Sequence, residues 1–419
     1  MTVAFFTLGC KTNQFESQAM EKLFSAKGWK VTAFDGDADV YVINSCTVTS
    51  TGDQKTRQCV RRTRRLHPNS FIAVCGCSAR LHGEELLSLC GADLVSGNRD
   101  HEGFVGEIIR SVSERTEPHL FKESREDEFV RLPSGGLSER TRALLKVEDG
   151  CENFCTYCII PYARGRVRCL PMKEALEDAE SLCNEGYKEI VLTGIELSAY
   201  GEGLCELIVG LCGVMRGRAR LSLGSLKPTT LTEDFCKRLS SLDNLCPHFH
   251  LSVQSGCDAT LKRMNRHYTS DDVLAVAERL RRYFEGANIT VDIITGFPGE
   301  DEAEFAATVE FIRRLRPGYA HVFPYSEREG TPAVRLSGSV EKKERERRAA
   351  RISRIASESR LELLRSQIGR ELNVLVERDG GGYTDNYIYT RIKGDVGQNE
   401  LVRVRVTDTD GKELFAELI

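Results

Sequence analysis

The sequence predicts an α/β protein in three parts: an N-terminal parallel sheet flanked by helices, a partial barrel of six strand–helix units, and a small all-β barrel. Three observations carry this reading. Apolar runs of strand length alternate with helical stripes through the first 330 residues, the pattern of parallel sheets with crossover helices. From residue 140 to 330 the count of such units is six, short of the eight that close a barrel. After Gly369 the chain turns to short strands with Gly-rich turns, which suits a small β-barrel.

In the first part, Val3–Leu8, Val40–Ile43, Phe71–Val74 and Ala92–Val95 read as buried strands. Phe15, Ala19, Met20, Leu23 and Phe24 form a helical stripe that stops at Gly28. The helix after Cys46 must end by His67, before Pro68. In the second part the strands are Ala143–Val147, Ile190–Thr193, Ala219–Leu223, His248–Val253, Ile289–Thr295 and Ala320–Phe323. Helices fall at Lys173–Glu185, Ser270–Phe284 and Asp301–Leu315, and a long charged helix at 340–366. The last part offers Leu372–Val376, Asn386–Ile392, Leu401–Val406 and Glu413–Ile419, with a turn at Gly380-Gly381-Gly382. The expected division is 1–112, a polar linker 113–139, 140–364 with its helix, and 365–419.

Composition narrows the class. With 41% hydrophobic and 29% charged residues in 419, the chain has material for several cores, so whole-chain disorder is excluded. The start MTVAFFTLGCKTNQ has no basic n-region, and no apolar run approaches a membrane span, the longest being Leu204–Met215, broken by Glu206. A cytoplasmic protein with no membrane contact is expected. In a reducing compartment, sixteen cysteines point to metal, catalysis or core packing rather than disulfides.

The net charge of −4 gives no global pull on nucleic acid. Its distribution is uneven. Lys55, Arg57, Arg61, Arg62, Arg64 and Arg65 crowd one stretch without an acid, and Glu341–Arg360 carries a net +4. Solvated helix faces explain such runs, and so does a phosphate-binding surface. The segment from Arg365 onward is net −2, and its Tyr383, Tyr387 and Tyr389 suit either base stacking or core.

The strongest chemical signal is Cys151-Glu152-Asn153-Phe154-Cys155-Thr156-Tyr157-Cys158. Three cysteines at this spacing can hold three irons of a cubane cluster and leave the fourth open, as catalysis requires. The loop follows the first barrel strand, at the carboxyl end where barrel sites lie. A structural zinc site or chance are the alternatives; Cys169 is a weak candidate for a fourth ligand. A second group is dispersed. Cys10, Cys46 and Cys77 each follow a strand of the first part, so the parallel sheet brings them to one carboxyl edge. A second cluster with an open iron is one reading; small buried thiols are the other. Cys75 reads as core, as do Cys59, Cys90, Cys183, Cys205, Cys212, Cys236, Cys246 and Cys257.

The loop with its Tyr157 resembles the radical S-adenosylmethionine (SAM) motif. Its continuation Ile159–Arg168 (IIPYARGRVR), with Leu8–Ser17 (LGCKTNQFES), Ile43–Val48 (INSCTV) and Cys75–Arg80 (CGCSAR), resembles the methylthiotransferases. His250–Thr269, Gly296–Glu300 and His321–Ala333 extend the match over essentially the whole chain. LGCKTNQFES and YCIIPYARGR look most like the branch acting on tRNA carrying N6-threonylcarbamoyladenosine. Sister branches act on isopentenyladenosine in tRNA or on a ribosomal-protein aspartate.

The resemblance implies a methylthiotransferase N-terminal domain, a radical SAM core and a C-terminal TRAM domain. It implies two [4Fe–4S] clusters, on Cys10, Cys46 and Cys77 and on Cys151, Cys155 and Cys158, the latter binding SAM and serving as the catalytic set. One SAM then supplies a methyl group to sulfur, and a second yields a 5′-deoxyadenosyl radical that activates C2 of the adenine. A tRNA substrate, an electron donor such as a flavodoxin-type protein, and a monomeric state are expected. A non-catalytic iron–sulfur RNA-binding protein is the reading from another class.

Further candidates follow. Tyr157, Gly194, Glu196, Ser225, Gln254 and Ser255 stand at strand ends or beside the cysteine loop as possible cofactor contacts. Arg61, Arg62, Arg64, Arg65, Arg164, Arg166 and Tyr387 are the candidate RNA contacts, with solvated loop or core as the plain alternative. Two positions depart from the family: Glu196, where a neutral polar residue is usual, and Lys227, where Glu is usual. A swapped charge pair is the expectation, and it requires the two side chains to be close.

Overall fold

The computed structural model describes residues 1–123, 128–136, 141–377 and 380–419. The chain divides into two compact units: Met1–Glu139 with Leu144–Pro171 and Glu327–Thr331, and Arg140–Ala143 with Met172–Ser326 and Pro332–Ile419.

The first unit is built on β1 (Thr2–Thr7), β2 (Lys30–Thr32), β3 (Val40–Ser45), β4 (Phe71–Gly76), β5 (Leu94–Val95) and β6 (His119–Leu120), all parallel, in the order β2-β1-β3-β4-β5-β6. Helices α1 (Lys11–Ala26), α2 (Ser50–Leu66), α3 (Cys77–Ser88) and α4 (His101–Glu114) connect them. Val3, Met20, Phe24, Val42, Ala73, Phe104 and Ile108 form a core on one face; Ile43, Val60, Ile72, Val74 and Leu86 form one on the other. A strand buried on both faces reads as continuous apolar residues, which is why β3 and β4 were legible. The short edge strands β2 and β6 were not. β6 lies inside the stretch read as linker, of which 124–127 and 137–139 fall outside the described residues. The strand β7 (Arg142–Lys146) leads to β8 (Glu148–Asp149), the cysteine loop, α5 (Ile160–Arg164) and β9 (Arg168–Cys169), which pairs antiparallel with β8.

In the second unit α6 (Met172–Asn184), β10 (Glu189–Thr193), α7 (Leu204–Met215), β11 (Arg220–Leu223), β12 (Ser225–Leu226) and α8 (Glu233–Leu239) precede β13 (His248–Gln254). After it come α9 (Asp258–Arg263), α10 (Ser270–Tyr283), β14 (Asn288–Thr295), α11 (Glu302–Leu315), β15 (Tyr319–Pro324) and α12 (Lys342–Ser366). β11 pairs with β10 and β12 pairs with β13, all parallel. One strand broken at Gly224 therefore serves two sheets, and β13, β14 and β15 continue the second. This is the expected partial barrel wall.

The Leu197–Met215 stretch has a mean hydropathy of 1.3, long and apolar enough by itself to cross a membrane, which corrects the sequence reading. The backbone at Gly201 (φ +81) breaks it into a short 3-10 turn and α7. At 1.5 Å per residue α7 is roughly 18 Å long, and Leu204, Leu207, Ile208, Leu211 and Met215 are buried.

The C-terminal segment closes a barrel of β16 (Glu371–Val376), β17 (Gly381–Thr384), β18 (Tyr389–Lys393), β19 (Leu401–Thr409) and β20 (Leu414–Leu418), in the order β16-β17-β18-β20-β19. Two details differ from expectation. Of the glycines read as a turn, Gly381 and Gly382 open β17 instead: a Cβ on Gly382 would lie 1.9 Å from the Leu375 carbonyl of the paired strand, so glycine is required there. The strand expected from Asn386 begins at Tyr389, because Tyr387 turns through φ +62.

Candidate iron–sulfur site

Each N-terminal candidate cysteine stands where a strand gives way to the next element. Cys10 is the N-cap of α1, Cys46 follows β3, and Cys77 opens α3 directly after β4. Parallel pairing sets their height: Phe6 is opposite Ile43, and Asn44 opposite Cys75. Gly9 (φ +110) lets the first loop close on the second; a Cβ there would meet Cys46 Sγ at 3.2 Å. The thiols share one electrostatic neighbourhood. Burial pushes the Cys77 thiol up to about 11, Arg164 pulls it down, and Cys10 and Cys46 add to the rise. Cys46 is raised by burial and by Cys10. Metal binding to such thiols releases their protons. Cys75, one strand position from Gly76, is fully buried in the core as expected.

Donors surround the sulfurs. Asn98 Nδ2 lies 3.5 Å and Arg164 Nε 3.2 Å from Cys77 Sγ. Cys10 Sγ is 3.5 Å from Asn13 Oδ1, and Asn13 Nδ2 donates to Asn44 Oδ1 and the Ser45 carbonyl.

The second group lies in the same unit. Gly150 (φ +95) precedes Cys151, and a Cβ there would sit 2.0 Å from the Arg166 carbonyl. The Cys151 N–H donates to the Gly165 carbonyl at 3.0 Å, the Cys158 N–H to the Cys155 carbonyl at 2.9 Å. Asn153 Nδ2 donates to Cys151 Sγ at 3.2 Å, and Phe154 takes φ +44. The loop is thus folded by its own backbone, with Cys151 and Cys155 buried and Cys158 half-buried.

Among the described residues, the only His/Cys/Asp/Glu trio with ligand atoms all within 4.8 Å of one another is His250, Asp292 and His321. A single zinc with sulfur ligands at about 2.3 Å draws them to roughly 3.8 Å apart.

Arg164 corrects an expectation. Read as an RNA contact, it is 0% exposed. Nη1 donates to Glu16 (2.7 Å) and Asp149 (3.0 Å), Nη2 to Asn13 (3.0 Å) and Glu16 (3.2 Å). Lys146 Nζ joins Glu16 and Asp149 at 2.9 and 2.7 Å. Arg64 also leaves the RNA set: it is tied to Asp93 and to the carbonyls of Gly91, Pro68 and Ser70. Tyr387 stacks on His248 (4.8 Å) and on Tyr383 (4.7 Å), so its ring is engaged within the protein. Arg61, Arg62, Arg65 and Arg166 are exposed.

In the second unit, Glu196 is buried and its carboxyl is raised by burial, with Lys227 and Arg266 pulling it down. Ser198 links the two departures: its N–H donates to Glu196 and its hydroxyl accepts from the Lys227 N–H at 2.8 Å. Ser198 thus bridges the Glu196 carboxylate and the Lys227 backbone, and the Lys227 charge is felt at Glu196. Gln254 ends β13 at φ +75, beside a register shift; strain of this kind gathers at binding sites. Gly194 and Ser225 are half-buried just after β10 and at the start of β12, and Tyr157 is half-buried beside Cys158. Ser255 is buried against Thr308 and the Cys257 N–H, a structural role.

Sequence reasoning missed Glu16, Asn13, Lys146, Asp149 and Arg328. Arg328 pairs with Asp53 (2.5 Å) and donates to Thr47 (2.6 Å), next to Cys46. The signal was present in the acidic and amide residues Asn13 and Glu16, one to two turns past Cys10.

A wall of parallel strands with crossover helices and a C-x3-C-x2-C loop are the marks of the radical SAM class. Residues 145–312 match the Radical SAM superfamily, and residues 2–97 match the family described as Uncharacterized protein family UPF0004. The chain is 37% identical to the threonylcarbamoyladenosine tRNA methylthiotransferase MtaB of Bacillus subtilis, over 97% of this chain and 93% of that one. It is 33% identical to the tRNA-2-methylthio-N(6)-dimethylallyladenosine synthase of Cereibacter sphaeroides, over 98% and 97%. The radical SAM methyltransferase TsrM from Kitasatospora setae shares the fold, with a TM-score of 0.55 at 14% identity, covering 79% of this chain and 74% of that one. The chain belongs to the radical SAM methylthiotransferase family and is an enzyme of that class, whose cofactors are SAM and [4Fe–4S] clusters.

Proposed function

We propose that the protein is a tRNA (N6-L-threonylcarbamoyladenosine-C2)-methylthiotransferase, placing a methylthio group on C2 of the hypermodified adenosine beside the anticodon. The observation that carries the methylthiotransferase chemistry is the convergence of Cys10, Cys46 and Cys77 at one sheet edge, in the same compact unit as the Cys151–Cys158 loop, and the substrate rests on the 37% identity to the Bacillus subtilis enzyme. Each trio would hold one [4Fe–4S] cluster with an open iron. When bound, such clusters with SAM supply radical chemistry, which an aromatic C–H requires because it offers no usable acid or base. The protein binds, orients and excludes water. Asn153, Asn98 and Arg164 donate to the ligating sulfurs; Glu196, Ser225, Gln254 and Tyr157 are the cofactor contacts; Arg166 is free to meet a phosphate or the threonylcarbamoyl carboxylate. Arg61, Arg62 and Arg65 form the phosphate-binding stripe.

A first domain that runs on through β6, followed by parts at 140–364 and 365–419, a cytoplasmic monomer and a flavodoxin-type donor belong to the same reading. The isopentenyladenosine substrate is the second reading, favoured by the likeness to the dimethylallyladenosine enzyme. The test is an anaerobic assay of the reconstituted full chain with SAM and a reductant on three substrates: threonylcarbamoylated tRNA, isopentenylated tRNA and the ribosomal protein. Methylthio product on the first supports the proposal. Product on either of the others alone overturns it. Cys155→Ala abolishes adenosyl cleavage while tRNA binding survives; modification by that variant would refute the enzymatic account.

A further inference from the structure

We infer that Arg164 is a positioning residue that raises the reduction potential of the cluster held through Cys77, and that Glu16 opposes it. The inference rests on the proposed placement of a cluster on Cys10, Cys46 and Cys77.

A guanidinium has five N–H donors in a fixed fork, and Arg164 uses all five. Nε points at Cys77 Sγ (3.2 Å). The other four reach both Glu16 oxygens, Asp149 and Asn13. Asn13 is itself the partner of Cys10. The side chain is wholly buried, so its charge acts on the sulfur with little screening from water. Arg164 also ends α5 of the radical SAM loop, and the next residue's carbonyl holds the Cys151 N–H. One turn of chain thus touches both cysteine groups.

Hydrogen bonds and positive charge at a ligating sulfur favour the reduced cluster. Within the cage, Arg164, Lys146 and Arg168 face Glu16 and Asp149, with His101 beside Glu16. Removing the Arg164 charge makes the field at the sulfur more negative; removing the Glu16 charge makes it more positive. The two changes move the potential in opposite directions. A merely structural role would not produce that sign reversal.

The experiment uses the full chain carrying Cys151→Ala, Cys155→Ala and Cys158→Ala, so that one cluster remains. Iron and sulfide are counted first, then the potential is read by an EPR-monitored redox titration. Arg164→Gln is expected to shift the one-electron equilibrium about tenfold toward the oxidised cluster, roughly 59 mV downward. Arg164→Lys shifts it less, and Glu16→Gln shifts it upward. Should Arg164→Gln shed its iron, Arg164→Lys and Glu16→Gln are read instead, and a fall in the first with a rise in the second supports the inference. Unchanged potentials, or shifts of one sign for Arg164→Gln and Glu16→Gln, overturn it. A triple-alanine chain that binds no iron overturns the cluster placement, and the inference with it; iron bound with unmoved potentials overturns the inference alone.

Discussion

Arg164 Nη1 donates to Glu16 Oε1 at 2.7 Å, and neither side chain is exposed. Two turns of chain far apart in sequence, one just past Cys10 and one just past Cys158, are locked through this pair. Breaking a buried ion pair by removing one partner costs about 3–5 kcal/mol, because the other charge is left unpaired. Arg164→Met is therefore expected to lower unfolding stability by that amount. Arg164→Met with Glu16→Met recovers part of it. Denaturant titration of the two variants checks this; equal losses would contradict it.

The same cage sets a pH dependence. Burial raises the Glu16 carboxyl, but Arg164, Lys146 and His101 outweigh it and hold it low. Its contribution to stability is present above the ordinary carboxylate range and is lost only as pH falls through its depressed folded value. His101 behaves differently. Burial lowers its pKa below 6.5 despite Glu16, so the unfolded chain takes the proton first. Stability falls as pH drops below about 6.5. His101→Gln is expected to flatten the loss of stability between about pH 7 and 5. An unchanged slope in that window speaks against it.

Gly150 has no room for a side chain, its Cβ position lying 2.0 Å from the Arg166 carbonyl. Gly150→Ala is expected to open the Cys151–Cys158 loop and to halve, roughly, the iron of a protein that holds two four-iron clusters. Iron analysis after anaerobic reconstitution reads this. Full iron content would show that the loop tolerates the change.

Much of this architecture was legible before any coordinates. Strands β3 and β4 are apolar on both faces and short-range patterns find them, and strand order then places Cys10, Cys46 and Cys77 at one edge. The cage around Arg164 was not legible. Helix α1 buries Thr12, Asn13, Glu16 and Ser17 as well as Phe15, Ala19 and Met20, so its polar face looks solvated in sequence while ion pairing across 148 residues buries it. Tyr387 misled for a related reason: a turn at positive φ, not a strand, sets its direction.

Glu196 and Lys227 meet through Ser198. If Glu196 contacts SAM, Glu196→Gln weakens its binding about tenfold or more, the effect of one charged hydrogen bond, with iron content unchanged. Isothermal titration under anaerobic conditions measures it. Affinity equal to the parent protein's would remove Glu196 from the binding site.

The exposed Arg61, Arg62 and Arg65 are expected to bind phosphate, whereas Tyr387, stacked on His248 and Tyr383, is expected to serve packing. Changing the three arginines to Ala lowers tRNA affinity and reduces the slope of log K against log salt by up to about 0.9 for each phosphate no longer neutralised. Tyr387→Ala lowers stability and leaves that slope alone. A slope unaffected by the arginine changes would place the RNA surface elsewhere.

The most direct measurement is mass spectrometry of tRNA nucleosides from cells with the gene, without it, and complemented by the Cys77→Ala form. The account predicts 2-methylthio-N6-threonylcarbamoyladenosine in the first and only its unthiolated precursor in the other two. Unchanged 2-methylthio-N6-threonylcarbamoyladenosine without the gene, or its full restoration by Cys77→Ala, would contradict it.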